Sequence, residues 1–168
     1  MELVEAKQKF IEAWGKLGTE WGINRTMAQV HALLLLTPGA LTTEEVMEAL
    51  SISRGNANMT LRDLINWGLI EKQLRPGERK EYFYADKDVW NIARQVAKER
   101  RKRELEPVLK LLDELSKVKG DTKDPQYKTF HQSVTDINKL AKNVDKTFET
   151  MIKADESWFW GSILKIFK

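Results

Sequence analysis

The sequence predicts a mainly α-helical fold with one small β-hairpin, in which a central domain is flanked by N- and C-terminal helices. Three observations support this prediction. Apolar residues recur every three or four positions over most of the chain, as they do in amphipathic helices. One stretch, residues 69–84, instead has two runs of strand-forming residues on either side of a Pro-Gly turn. The last long segment keeps a seven-residue apolar period.

The first predicted helix covers residues 1–22. Gly15 and Gly18 lie within it, although a glycine inside a helix costs about 1 kcal/mol relative to alanine. They mark either a weak stretch of helix or the close approach of a second helix, and the sequence leaves both interpretations open. The apolar residues of this helix share one stripe, at spacings of three, four and seven: Leu3, Phe10, Trp14, Leu17 and Trp21.

Three further helices are predicted from the capping residues at their N-termini. Asn24 caps a helix that ends before a Thr-Pro-Gly turn, and Ser53 caps one that ends at Gly68. Between them, Thr42 and Glu45 have the spacing of a capping box, in which a hydroxyl and a carboxylate reciprocally satisfy exposed backbone N–H groups. A tight turn joins this short helix to the next one.

A β-hairpin follows these helices. Residues 69–74 and 82–84 are the predicted strands. Pro76 and Gly77 form the turn, since proline fixes one φ angle and glycine accepts a positive one. The tip of the hairpin is basic, with three cationic residues: Arg75, Arg79 and Lys80.

The remaining third of the chain is predicted to be helical. Asp88 caps a helix that Pro107 must kink or restart, because proline lacks an N–H and clashes with the preceding turn. After a polar linker, Asp124 and Pro125 open the last long helix, and an aromatic tail follows it. The apolar residues of that helix alternate spacings of four and three, which is the pattern of a coiled-coil seam: Phe130, Val134, Ile137, Ala141, Val144, Phe148 and Met151.

The central elements, residues 24–87, have the order of a winged helix-turn-helix domain: helix, capped short helix, tight turn, helix and hairpin. In such a domain the helix that begins at Ser53 enters the major groove of DNA, and the hairpin reaches the minor groove or the phosphates. Asparagine can pair with adenine and arginine with guanine. We therefore expect double-stranded DNA as a partner, contacted by a polar helix face and the hairpin tip: Ser53, Arg54, Asn56, Asn58, Arg62, Arg75, Arg79 and Lys80.

The flanking segments, residues 1–23 and 88–168, are predicted to form a homodimer. A seam this long cannot be buried on a small domain alone, and the N-terminal stripe has the same need. A dimer would place two recognition helices about one helical turn (roughly 34 Å) apart and favour a palindromic site. In the alternative, the last helix folds back on residues 89–115 of a monomer. The expected dimer contacts are Phe10, Trp14, Leu17, Phe130, Val134, Ile137, Val144, Phe148 and Met151.

The stretch SISRGNANMTLRDLINWGLIEKQLRPGERKEYFYADKD, residues 51–88, resembles the GbsR-like branch of the MarR-type winged helix-turn-helix regulators. Its start SRGN, the helix end LRDLINWGLI and the wing GERKEYF carry the resemblance. The resemblance implies a dimeric transcription regulator, usually a repressor, with helices at both termini. Some relatives respond to choline-type osmoprotectant precursors, but no motif in this sequence fixes such an effector.

Composition argues against several other classes. The absence of cysteine rules out disulfides, thiol catalysis and cysteine-based zinc sites. The sequence has no signal peptide and no apolar run long enough to cross a bilayer, so we expect a cytoplasmic protein that does not contact membranes. The sequence has only two histidines, His31 and His131, and no HExxH, P-loop or dinucleotide-binding motif. We therefore expect neither enzyme activity nor a cofactor.

Three other interpretations stay open. A winged helix can serve protein contacts without specific DNA binding, although such a domain should lack the polar helix face and the basic tip. The basic run over residues 94–103 either extends the phosphate contacts or faces solvent. The six tryptophans either pack in cores or form an aromatic cage for a quaternary ammonium effector: Trp14, Trp21, Trp67, Trp90, Trp158 and Trp160.

Overall fold

The computed structural model describes residues 1–153, which fold as helices around one small antiparallel sheet. The chain divides into two compact units, the first being Met1–Ile92 and the second beginning at Ala93. The mainly α-helical class predicted from the sequence is confirmed. The elements are α1 (Leu3–Glu20), α2 (Arg25–Leu36), β1 (Leu41–Thr42), α3 (Thr43–Leu50), α4 (Arg54–Asn66), β2 (Ile70–Leu74), β3 (Glu81–Ala85), α5 (Val89–Arg100), a π-helical turn (Arg101–Leu105), α6 (Glu106–Leu115) and α7 (Pro125–Lys153).

The sheet has three strands rather than the two of the predicted hairpin. Their order is β1-β3-β2, and both pairings are antiparallel. In this register Phe83 of the central strand lies between Leu41 and Lys72. The strand β1 has only two residues and was not predicted, because so short a segment shows no apolar alternation.

The core of the first unit joins α2, α3 and α4. Its largest fully buried side chains are Val30, Leu34, Val46, Leu61 and Leu64. The pairs in α2 and α4 are spaced four and three residues apart, so each of these two helices turns one apolar face inward. The arrangement fixes the axis of α4 and exposes its opposite side.

The predicted caps are present. The Asn24 side chain accepts a hydrogen bond from the backbone N–H of Met27. Thr42 and Glu45 form the reciprocal capping box. Asp88 accepts backbone hydrogen bonds at the start of α5, and Gly68, with φ of 68°, follows the end of α4 as expected.

The two glycines of α1 allow close packing against α2. A Cβ atom at Gly18 would lie 2.6 Å from the Cβ of Ala28, which is closer than two carbon atoms can approach. The interpretation of Gly15 and Gly18 as a helix contact is therefore confirmed. The apolar stripe of α1 is not the face that packs here, because Phe10 and Leu17 remain more than a third exposed.

The second unit contains an antiparallel pair of helices, α6 and α7. A π-helical turn precedes Pro107, which lies in the first turn of α6, so the helix restarts there as predicted. Leu112, Val134 and Ala141 form the small core between the two helices. The predicted seam of α7 therefore splits: Val134 is buried within its own chain, whereas Ile137 is 52% exposed. The last helix does fold back on its own chain.

Candidate nucleic-acid interface

The turn between α3 and α4 sets the position of the candidate recognition helix. Ser51 adopts a left-handed conformation (φ 52°), and Ser53 then caps α4 by accepting a hydrogen bond from the backbone N–H of Asn56. Ala57, Leu61 and Leu64 hold the inner side of α4 in the core. The first turn of α4 is thereby exposed, with Arg54 and Gly55 open to solvent.

The outermost side of α4 is formed by Gly55, Met59, Arg62 and Asn66, at spacings of four, three and four. Arg62 was among the predicted contacts. Met59 was not, although its side chain is 56% exposed, because sequence analysis counted only polar residues on this face. Its position opposite the apolar residues Ala57, Leu61 and Leu64 is the sequence signal that indicates its exposure.

Arg54 forms an ion pair across the helix-turn-helix. Its guanidinium lies 2.9 Å from the carboxylate of Glu44, at the start of α3. A hydrogen bond from its own backbone N–H, together with Arg54, holds the pKa of Glu44 below its usual value. Of the two acidic residues in this turn, only Glu45 caps the helix. Glu44 instead pairs with the exposed side chain of Arg54.

The two asparagines of the predicted site flank the outermost face. Asn56 and Asn58 are half-buried on opposite sides of α4. The Asn56 side chain accepts a hydrogen bond from the hydroxyl of Thr60, 3.4 Å away. The Asn56 side chain therefore already has a hydrogen-bond partner within its own helix, whereas the Arg62 side chain is exposed to solvent.

The hairpin between β2 and β3 carries the three predicted cations at its exposed end. Gly77, with φ of 81°, makes the turn, and Arg79 and Lys80 are exposed just before β3. The guanidinium of Arg75 lies 3.7 Å above the ring of Tyr82, which orders it by a cation–π contact. The hydroxyl of Tyr82 in turn donates a hydrogen bond to the carboxylate of Glu78.

The hairpin tip and the start of α3 are electrostatically coupled. Hydrogen bonds from Thr42 are the main reason why the pKa of Glu45 lies below its usual value, and the charges of Lys80 and Arg75 lower it further. The pairing of Tyr82 with Thr42 brings the strand that leaves the hairpin tip beside the N-terminus of α3. The structure thus places the basic tip and the first turn of α3 in one electrostatic environment.

The basic run over residues 94–103 lies apart from this surface in the chain, and carboxylates neutralise much of it. Within the second unit, Arg101 forms hydrogen bonds of 2.6 and 3.1 Å to Asp145 and one of 3.2 Å to Glu149. Arg103 pairs with Glu99. This pairing favours the solvent-facing interpretation of the run over phosphate contacts.

Two of the six tryptophans lie in α1 or directly after it. Trp14 is half-buried and stacks on Phe10, with ring centroids 5.4 Å apart. Trp21 is mostly exposed. Trp158, Trp160 and the aromatic tail lie outside the described residues, so the cage stays a hypothesis. No helix among residues 1–153 is long and apolar enough to cross a membrane.

Comparison with known proteins supports the winged-helix interpretation. Residues 21–81 match the model of the MarR family, a family of transcription regulators and not of enzymes. A solved transcriptional regulator superposes with a TM-score of 0.65 at 21% identity, over 88% of this chain and 95% of that chain, and so shares the fold.

Other solved structures are more distant. A MarR family transcription regulator has a TM-score of 0.39 at 17% identity and covers 86% of each chain. A mutant S. aureus MepR bound to an oligodeoxyribonucleotide has a TM-score of 0.40 at 12% identity, covering 80% of this chain and 92% of that one. No curated protein sequence matches the chain significantly.

Proposed function

We propose that this chain is a MarR-type, sequence-specific DNA-binding transcription regulator. The observation that carries the proposal is the pairing of two features in a segment that matches the MarR family model. The outer face of α4 is exposed and partly polar. A basic hairpin tip lies near the same helix-turn-helix, because Tyr82 of β3 pairs with Thr42 at the start of α3. A winged helix used only for protein contacts would need neither feature.

In the proposed complex, α4 enters the major groove and the hairpin tip contacts the backbone. Arg62 and Asn58 are then the side chains best placed to reach base edges, because they lie on or beside the outer face of α4. Arg54 and Ser53 sit at the helix N-terminus, where phosphates are favoured by the exposed N–H groups. Arg79 and Lys80 contact flanking phosphates, which position the protein without reading sequence.

We further propose that two copies pair through their terminal helices. Two apolar stripes with seven-residue periods remain exposed in a single chain. One contains Phe10 and Leu17 of α1, with Trp14 half-buried beside them. The other lies on α7, where Phe148 and Met151 are half-buried and three further members of the predicted seam are more exposed: Phe130, Ile137 and Val144.

A dimer of this kind would bind a palindromic operator and repress by covering promoter DNA in the cytoplasm. The GbsR-like stretch at residues 51–88 supports this finer assignment, and also a quaternary ammonium effector, bound through tryptophans of the flanking helices. In this proposal, residues 24–87 bind DNA, and residues 1–23 and 88–168 form the dimer. In that division Val134 contributes to the fold of its own chain instead of to the partner contact.

Selection of bound DNA from a random duplex pool tests the proposed function. We expect enrichment of an inverted repeat with half-sites about one helical turn apart. Arg62→Ala should weaken or change the enriched motif, whereas Lys16→Ala, an exposed cation of α1, should leave it unchanged. Failure of the wild-type protein to enrich any sequence over the input pool would contradict the proposal and favour a protein-binding winged helix.

A further inference from the structure

We propose that Met59 contacts the 5-methyl group of a thymine in the major groove and thereby selects thymine at one position of each half-site. The inference rests on the proposed function and adds a specificity-determining residue to it. Thymine is the only base whose major-groove edge carries a methyl group, because cytosine has only a hydrogen at the same C5 position.

Met59 lies on the side of α4 that faces away from the core. Ala57, Leu61 and Leu64 point into the core, and Met59 lies on the opposite side of α4, with its side chain 56% exposed. Arg62 follows it by three residues on the same face. Whenever α4 lies in the groove with its core side facing the protein, Met59 is among the residues nearest the base edges.

Gly55 makes close approach possible on the N-terminal side of Met59. It lies one helical turn earlier on the same face, and a Cβ atom added there would meet nothing within 4 Å. The surface is therefore open at that turn, so the helix backbone can lie deep in the groove. The long, flexible thioether chain of Met59 can then reach past Gly55 or Arg62 to a methyl group.

The surroundings of Met59 indicate a base contact more than a protein contact. It is the one large apolar side chain of α4 that is strongly exposed, and its neighbours on the outer face are Asn58, Arg62, Asp63 and Asn66. A protein interface needs a contiguous apolar centre, and this face offers a single apolar side chain. A methyl group among polar base edges is the matching partner.

Thymine-to-uracil replacement tests the inference directly, since uracil lacks only the methyl group. Fluorescence anisotropy would measure the affinity of the wild-type protein for its selected site, with each thymine replaced in turn. We expect a loss of about fourfold at one thymine per half-site, which corresponds to the burial of one methyl-sized group. Met59→Ala should bind thymine and uracil equally at that position and keep any difference elsewhere.

Arg62→Ala is the matched control, because it changes the same face and should keep the loss at the thymine assigned to Met59. Met59 is exposed, so its replacement by alanine leaves the fold intact, which circular dichroism verifies. The inference is overturned if wild type tolerates uracil at every position, or if Met59→Ala keeps the full loss. Either result, obtained with a site that wild type selects, leaves the proposed function standing, whereas failure to select any site overturns both.

Discussion

At the scale of single residues, His31 is a buried group that should make stability depend on pH. The residue is 4% exposed in α2, faces Trp14, and its Nε2 atom has no hydrogen-bond partner among the described residues. Burial, with the nearby charge of Lys87, lowers the pKa of His31 from 6.5 to about 4. His31 therefore binds a proton less readily in the folded protein than in the unfolded chain.

The direction of the pH effect follows from this difference. Below pH 6.5 the unfolded chain binds the proton more readily than the folded one, so stability falls as pH falls from about 6.5 to about 4. We expect the free energy of unfolding to drop by about 2 kcal/mol between pH 7 and pH 5, measured by urea titration. His31→Leu should remove most of this drop, and His131→Leu, at an exposed position, should not. An equal drop in all three proteins would assign the effect to other groups.

The candidate site could be predicted residue by residue only where a side chain carries obvious chemistry. Arg62 and the three cations of the hairpin tip were identified from charge and position alone. Met59 was missed, because an exposed apolar residue becomes visible only once the buried side of α4 is known. The engagement of Arg54 by Glu44 was missed as well, since it joins side chains on two different helices.

At the scale of elements, the contact between α1 and α2 depends on glycine. A Cβ at Gly18 would meet the Cβ of Ala28, which is fixed to the backbone, whereas at Gly15 it would meet the flexible side chain of Gln29. We expect Gly18→Ala to destabilise the fold by about 1–3 kcal/mol, as overpacking does. Gly15→Ala should be milder, because helix propensity gained offsets the shift of one side chain. Equal melting temperatures for wild type and Gly18→Ala would contradict the close contact.

Helix boundaries were the elements best predicted from sequence, because the signals are local. Capping residues such as Asn24, Thr42 and Asp88 act on backbone groups within three positions of themselves. The strand β1 was not predictable, since it exists only through pairing with a distant β3. The separation of the α7 seam into buried and exposed residues was not predictable either, because it also depends on contacts between distant segments. The periodicity shows that Val134 and Ile137 lie on one apolar stripe, but it does not show which segment covers each of them.

At the scale of the whole molecule, the exposed stripe of α7 predicts that the protein associates. We expect sedimentation equilibrium to give a dimer at micromolar concentration, because an unpaired apolar stripe on a 29-residue helix is unfavourable in water. Ile137→Asp should yield a folded monomer, since it buries a charge at each copy of the contact. Thr135→Asp adds the same charge on an exposed position away from the stripe and should remain dimeric. A wild-type protein that stays monomeric would rule this arrangement out.

Affinity for DNA, measured over a range of salt concentrations, tests most directly whether α4 contacts base edges and the hairpin tip contacts phosphates. Selected and scrambled duplexes are titrated with wild type, Arg62→Ala and Arg79→Ala. We expect Arg62→Ala to lose about 1–3 kcal/mol of discrimination between the two duplexes. Arg79→Ala should weaken both equally and reduce the salt slope by about one. If both variants bind both duplexes as wild type does, at every salt concentration, this surface is not the DNA interface.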